Sequence, residues 1–204
     1  MKYLLILLSS LFSISGFADS SCPTFQAPSE FSLHEKLLSW STTLDIRDSN
    51  SSNLGQVTAK IFSIKTTFIL TNAQNQVVAQ AEKELFSWGS HIDIFDCHHE
   101  KIGAIKEDIM KNLFSFSTTY EILDSHDKTI AQSVKPFHIG DTNIEIGHNG
   151  RNAIKLNRPW LSLKDVWQVS VEDPNIVDSR ILVMIGAYKT YSDNSRQSKS
   201  DNDD

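Results

Sequence analysis

The stretch Asp173-Pro174-Asn175-Ile176-Val177-Asp178-Ser179-Arg180, continued by Ile181-Leu182-Val183-Met184-Ile185-Gly186-Ala187-Tyr188, decides how the rest of the chain must be arranged. Asp before Pro is a helix-start signal, because the carboxylate accepts free N–H groups and proline at the first helical position lacks the N–H that would go unpaired. The spacing predicts a helix over residues 174–190. Five consecutive apolar residues, 181–185, turn through ~400° at ~100° each, so no side of that helix can face water. Ile181, Leu182, Met184 and Ile185 are therefore its expected core. A buried strand is the competing reading, since Ile and Val abound; the cap and the length favour the helix. The run is too short for a bilayer span, which needs ~20 apolar residues, and Asp178 and Arg180 stand at its start.

The 204 residues are 40% hydrophobic and 22% charged, which suits one globular domain. At the N-terminus Lys2 precedes an apolar run, Leu4 to Leu8 with Leu11 and Phe12, and small residues lead to Gly16-Phe17-Ala18. That is the pattern of a secretory signal peptide cleaved after Ala18, so the mature chain is expected to begin at Asp19. A retained anchor is the alternative. A lipoprotein is disfavoured, because Asp19 stands three positions ahead of Cys22 where lipidation signals carry an aliphatic residue. The localisation implied is periplasmic or secreted.

Cys22 and Cys97 are the only two cysteines, and an oxidising compartment favours pairing them over leaving two free thiols. Loss of residues 1–18 removes Lys2 and leaves 18 basic against 25 acidic side chains, a net charge of −7. This excludes nucleic acid as an expected partner and gives no bulk attraction to anionic membranes.

Ahead of the helix the chain repeats. Asp45-Ile46-Arg47-Asp48, Ile69-Leu70-Thr71-Asn72, Asp93-Ile94-Phe95-Asp96, Glu121-Ile122-Leu123-Asp124 and Glu145-Ile146-Gly147-His148 start 24, 24, 28 and 24 residues apart. Each has an apolar second position, and most end in a turn-forming Asp or Asn. Second arms follow at residues 55–63, 77–86, 102–114, 130–137 and 153–161, with Phe62, Phe86, Phe114, Phe137 and Trp160 near their ends. The unit is strand, polar turn, strand. Five such hairpins, a leading arm at 31–38 and a closing arm at 166–171 make about twelve strands.

Twelve strands ~4.8 Å apart and tilted ~40° close at a backbone radius near ~12 Å, against ~8 Å for eight strands, whose side chains already fill the interior. The extra width matches the ~10 Å thickness of a helix. The expected fold is therefore mainly β: a twelve-stranded antiparallel barrel of hairpins enclosing one hydrophobic C-terminal helix. The domain organisation is signal peptide at 1–18, extended lead-in at 19–30, barrel domain at 31–191, and an acidic, disordered tail at 192–204.

Phe31 with Glu35-Lys36-Leu37-Leu38-Ser39, then Ile46-x-Asp48, the repeated units, and Asp173-Pro174 through Arg180-Ile181-Leu182 to Ala187-Tyr188-Lys189 resemble the tubby C-terminal-like superfamily, in its LURP-one-related and phospholipid-scramblase-like branch. The resemblance spans roughly residues 31–192 and implies the same barrel around a hydrophobic helix. In the tubby branch it also implies phosphoinositide binding by clustered Lys and Arg. This chain lacks such a cluster: Lys101, Lys106 and Lys111 are spread over two arms, and Arg151, Lys155 and Arg158 form a loose trio.

The densest chemical constellation is His91, Asp93, Asp96, Cys97, His98, His99 and Glu100. These are ligand types for zinc and copper, yet their run through a turn points the side chains apart and no second pair stands at a ligand spacing. The residues read as a solvated turn with one cysteine in a disulfide; no metal ligand and no cofactor is assigned. No Ser, Thr or Cys stands in a nucleophile elbow, so no catalytic residue is assigned. Trp40, Trp88, Trp160 and Trp167 read as core or rim packing rather than a ligand groove. An outer-membrane barrel is disfavoured because Lys60, Glu82, Lys83, Glu84, Lys106, Glu107 and Asp108 interrupt the arms. The functional reading is an exported, non-catalytic module that binds a lipid, a membrane-associated ligand or an envelope protein, with no transmembrane segment in the mature chain. The alternatives are a metal-dependent or other hydrolase using His91 to Glu100, and a structural envelope interaction protein.

Overall fold

A computed structural model describes residues 21–36, 42–61, 65–84, 91–112, 115–138, 142–158 and 166–200. The expected signal peptide and Ala18–Asp19 cleavage point, the aromatic residues Trp40, Phe62, Phe86, Trp88, Phe114 and Trp160, and residues 201–204 lie outside them. The strands run β1 Glu30–Glu35, β2 Thr43–Asp48, β3 Asn53–Ile61, β4 Lys65–Asn72, β5 Val77–Glu84, β6 His91–Asp96, β7 Lys101–Asn112 and β8 Ser115–Asp124. They continue with β9 Thr129–Ser133, β10 Phe137–His138, β11 Asn143–His148, β12 Arg151–Asn157 and β13 Val166–Val171, before helix α1, Ser179–Ser200. Each strand pairs antiparallel with its neighbours, β13 pairs back onto β1, and β9 bridges β8 and β11, so the sheet closes. Two-residue β10 lies against β8 beyond the end of β9, so the two share one of twelve positions around the barrel.

The repeat read from sequence is a repeat in space. The apolar second positions Ile46, Leu70, Ile94, Ile122 and Ile146 are all 0% exposed and point inward. Opposite each lies a register shift, where Leu54, Val78, Ile102, Ile130 and Ala153 are the extra residue on the outgoing arm. Such bulges sharpen twist and help a sheet curl into closure. Four of the following turns are built alike. Asp48, Asn72, Asp96 and Asp124 each accept, through Oδ1, the backbone N–H groups two and four residues on. The third loop residue, Ser51, Asn75, His99 or Asp127, takes a left-handed φ between 60° and 65°, as a three-residue hairpin loop requires. The fifth, Asn149-Gly150, is a two-residue turn with both φ positive, at 49° and 75°.

Because Asn72 does neutrally what three aspartates do, the acceptor oxygen and not the charge is what these turns need. Asp48→Asn should therefore be nearly silent, whereas Asp48→Ala, which leaves two N–H groups without their acceptor, should cost about 1–2 kcal/mol in urea unfolding. Equal losses for the two variants would show that charge matters instead.

The helix starts later and ends later than its sequence suggests. Asp173-Pro174 makes a turn, with Asp173 Oδ1 accepting Asn175 N–H at 3.0 Å. The cap is Asp178, whose carboxylate accepts Arg180 N–H at 2.8 Å and whose carbonyl accepts from Ile181 and Leu182. At the other end the helix runs on to Ser200, and Ser192 and Asp193 are buried within the barrel. The expectation of a disordered tail from 192 thus gives way at its start: the backbone stays helical to Ser200, and Ser192 and Asp193 are buried.

Every residue from Ile181 to Asp193 is buried, Gly186 included. A Cβ on Gly186 would come within 2.2 Å of Leu33 Cδ1 on β1, and one on Gly103 of β7 within 2.6 Å of Ile181 Cδ1. Glycine at both places lets helix and wall approach closely. At these two points helix and wall are in close contact.

Candidate functional site

Among the described residues three regions carry polar chemistry: a layer around the helix, the disulfide-bonded β6–β7 turn, and a groove on the outer wall. Inside the barrel, around the second half of α1, lies a layer that sequence reading missed. Buried Glu107 accepts from the Tyr188 hydroxyl and, at 3.1 Å, from Thr118 Oγ1. Trp167 Nε1 donates to Thr190 Oγ1 at 2.9 Å, and Thr66 Oγ1 meets the Tyr191 hydroxyl at 3.1 Å. Lys189 Nζ, beside the rings of Phe137 and Trp167, pairs with Asp193 at 2.5 Å, and Arg158 stands 3.6 Å from the same carboxylate. Pairing is what permits such groups in an interior.

The second region is the turn that sequence singled out. Cys97 is joined to Cys22 with a Cα separation of 5.6 Å, as expected, so the lead-in is strapped to the β6–β7 turn. The strap is also held by Val171 N–H on Ser29 O at 2.7 Å and by Ser179 Oγ on Phe25 O at 3.4 Å. Between strap and helix start is a cleft of 430 Å³. Cys22→Ser should cost about 2–3 kcal/mol in urea unfolding, below the ~4 kcal/mol that chain entropy sets for a closed loop of 75 residues, because the other contacts still hold the strap. An unchanged midpoint would show that the bridge constrains nothing.

His91, Asp93 and Asp127 gather near one another, but Lys101 Nζ sits among them, 2.7 Å from Asp93 and 2.6 Å from Asp127. His91 Nε2 lies 3.1 Å from Asp93, and His99 stacks on Phe95 with ring centres 4.5 Å apart. Partial burial pushes the Asp93 carboxyl up, yet hydrogen bonds and charge from Lys101 and His91 outweigh it and hold the group below the ordinary carboxylate range. A depressed folded-state value means stability present above the ordinary aspartate pKa and lost as pH falls through the folded one. Asp93→Asn should therefore flatten the acid limb of the stability curve below pH ~4, by no more than ~1 kcal/mol for so exposed a cluster. A parallel acid limb in the variant would contradict this.

The third region is on the outer wall, where β12, β13, β1 and β2 place polar side chains in rows. Register aligns Asn157, Gln168, Ser32 and Arg47 across the four strands, and Lys155, Ser170 and Glu30 in the next row. All of these but Arg47, together with the β2–β3 turn, border a groove of 550 Å³. Ser32 Oγ lies 2.8 Å from His34 Nε2 in its floor. Lys155 is paired with Glu172 at 2.9 Å, which raises its pKa above the ordinary lysine value. No local motif marks this groove, because register alone brings its two ends of the chain together. Elsewhere on the outside Lys36–Asp45, Lys65–Glu82 and Lys106–Glu121 form ion pairs at 2.8, 2.9 and 3.3 Å. A lipid-facing band would carry apolar side chains at such positions. Among the described residues no helix is long and apolar enough to cross a membrane.

Residues 29–187, nearly all of the barrel and the apolar half of its helix, match the LURP-one-related family. The chain belongs to that family. A LURP-one-related barrel is thus what the hairpin repeat and the buried helix describe. Its fold is similar to the crystal structure of a protein from Arabidopsis thaliana, at a TM-score of 0.52 and 11% identity over 82% of this chain and 94% of that one. At that identity the likeness concerns the fold alone. No curated protein sequence matches the chain. LURP-one-related membership supports a binding module of the tubby-like fold; the basic cluster that would hold a phosphoinositide does not assemble on the described outer wall, where Lys101, Lys106 and Lys155 each face a carboxylate.

Proposed function

We propose that this LURP-one-related protein is an exported, non-catalytic binding module that meets a lipid head group or an envelope protein on its outer wall, at the groove over β12, β13 and β1. The observation that carries the reading is the buried helix: among the described residues, 181–193 are all buried and occupy the interior where a lumen would hold a ligand. Recognition is then left to the surface. The groove offers hydroxyls, amides and an imidazole, with Glu30, Asp48 and Lys155 giving charges of both signs at its border, a set that suits a neutral or zwitterionic partner rather than a polyanion. The cysteine bridge suits an oxidising compartment, and removal of residues 1–18 after Ala18 would deliver the chain there.

Native mass spectrometry of the protein recovered from the exporting cell tests both parts. The expected polypeptide mass begins at Asp19, with a retained lipid adduct that Gln168→Trp, which fills the groove, removes. A mass beginning at Met1 would refute export. An adduct that survives Gln168→Trp would refute the groove, and the absence of any lipid adduct together with no co-purifying envelope protein would refute the binding reading.

A further inference from the structure

The Cys22–Cys97 bridge has a third group beside it. Cys22 Sγ, Cys97 Sγ and a ring nitrogen of His98 lie within 4.8 Å of one another. We propose that, once the bridge is reduced, these three atoms form a site for a thiophilic d10 cation, Zn²⁺ or Cu⁺, so that the strap is anchored by a disulfide in one redox state and by a metal in the other. This is independent of the groove on the opposite strands.

The chemistry balances with a small dithiol as reductant. One of its thiolates attacks a sulfur of the bridge, a mixed disulfide forms, and the second thiol closes the reductant into its own cyclic disulfide. Two electrons and two protons pass to the protein as two cysteine thiols. Metal binding then releases the thiol protons to solvent, because the thiolate is the ligand. Both cysteine residues are part-exposed, and Cys22 lines the cleft between strap and helix start, so a small dithiol has an approach.

Geometry favours the site because reduction does not free the strap. Ser29 and Phe25 remain bonded to β13 and the helix start, and Ala27 remains buried, so Cys22 stays over the β6–β7 turn. That turn is fixed in its own right: Asp96 Oδ1 holds His98 N–H and Glu100 N–H at 2.9 Å each. Metal–sulfur bonds of ~2.3 Å place two tetrahedral thiolates ~3.8 Å apart, and a metal–imidazole bond is ~2.0–2.1 Å. Once reduced, the two sulfurs can move apart to that spacing, because one stands on a surface turn and the other on an extended strap. A water completes four-coordination. The neighbouring His91, Asp93 and Asp127 set has no such room, since the Lys101 ammonium already lies between its carboxylates.

Cobalt(II) is the probe, because thiolate ligation gives it a charge-transfer absorption. The reduced, folded protein should bind one Co²⁺ with that band, and the oxidised protein should show none. His98→Ala should weaken binding tenfold or more, Cys22→Ser should abolish the band, and Zn²⁺ or Cu⁺ should displace the cobalt. Zn²⁺ should also raise the melting temperature of the reduced protein, and not that of reduced Cys22→Ser. No thiolate band in reduced protein, an affinity indifferent to His98→Ala, displacement by neither cation, or a reduced chain that stays unfolded with excess Zn²⁺ would each overturn the proposal.

Discussion

Ile185→Asp should leave the chain unfolded, with its far-ultraviolet dichroism lost and its yield in cells collapsed. Ile185 is 0% exposed on the stretch of α1 that has strand side chains on every side, so an aspartate there would be desolvated with no direction in which to reach water. The penalty is several kcal/mol, against the ~5–15 kcal/mol that holds a domain together. Ile185→Leu, which conserves volume, should lose less than ~1.5 kcal/mol and serves as the control. An Ile185→Asp protein that melts within a few degrees of the parent would mean that the helix does not fill the barrel.

Asp193→Ala should cost about 3–5 kcal/mol, although residue 193 belongs to a segment whose composition reads as solvated tail. Its carboxylate is 4% exposed and sits against Lys189, itself 2% exposed, with Arg158 on its far side. Removing the acid takes away the carboxylate 2.5 Å from an interior ammonium, which is the expensive way to break a buried pair. Replacing both members, as Lys189→Met with Asp193→Leu, should recover most of the loss. Urea unfolding of the three variants measures it. A loss below ~1 kcal/mol for Asp193→Ala would place this end of the helix in water.

The parts of the fold that could be read from residues are those whose signal is local and repeated. Ile46, Leu70, Ile94, Ile122 and Ile146 recur with the turn residues that follow them, and each lies on the inner wall where its place in the hairpin puts it. The all-round apolar run at 181–185 foretold burial, and a single pair of cysteines foretold its bridge. What stayed hidden depends on distant partners. The Asp173-Pro174 signal was real but capped a turn, because a second aspartate five residues on offered the helix a better start. The extra residues Leu54, Val78, Ile102, Ile130 and Ala153 carry no mark of their own, being apolar like their neighbours. Residues 192–200 are polar, and only Arg158 and Lys189, met in three dimensions, make Asp193 an interior residue. The outer groove is more remote still, since Ser32 and Gln168 meet only through the closing of β1 on β13.

Residue-resolved amide hydrogen exchange under native conditions tests the central claim, that α1 is the core of the barrel, most directly. Amides open locally at free energies from near zero up to that of global unfolding, and only the innermost elements reach the top of that range. The amides of residues 185–190 should exchange as slowly as those of β3 and β4, with a protection free energy equal to the global stability. Exchange of the helix at a free energy well below that of the strands would show that it can leave the barrel while the wall stays intact, and the account of a closed barrel built around its helix would be wrong.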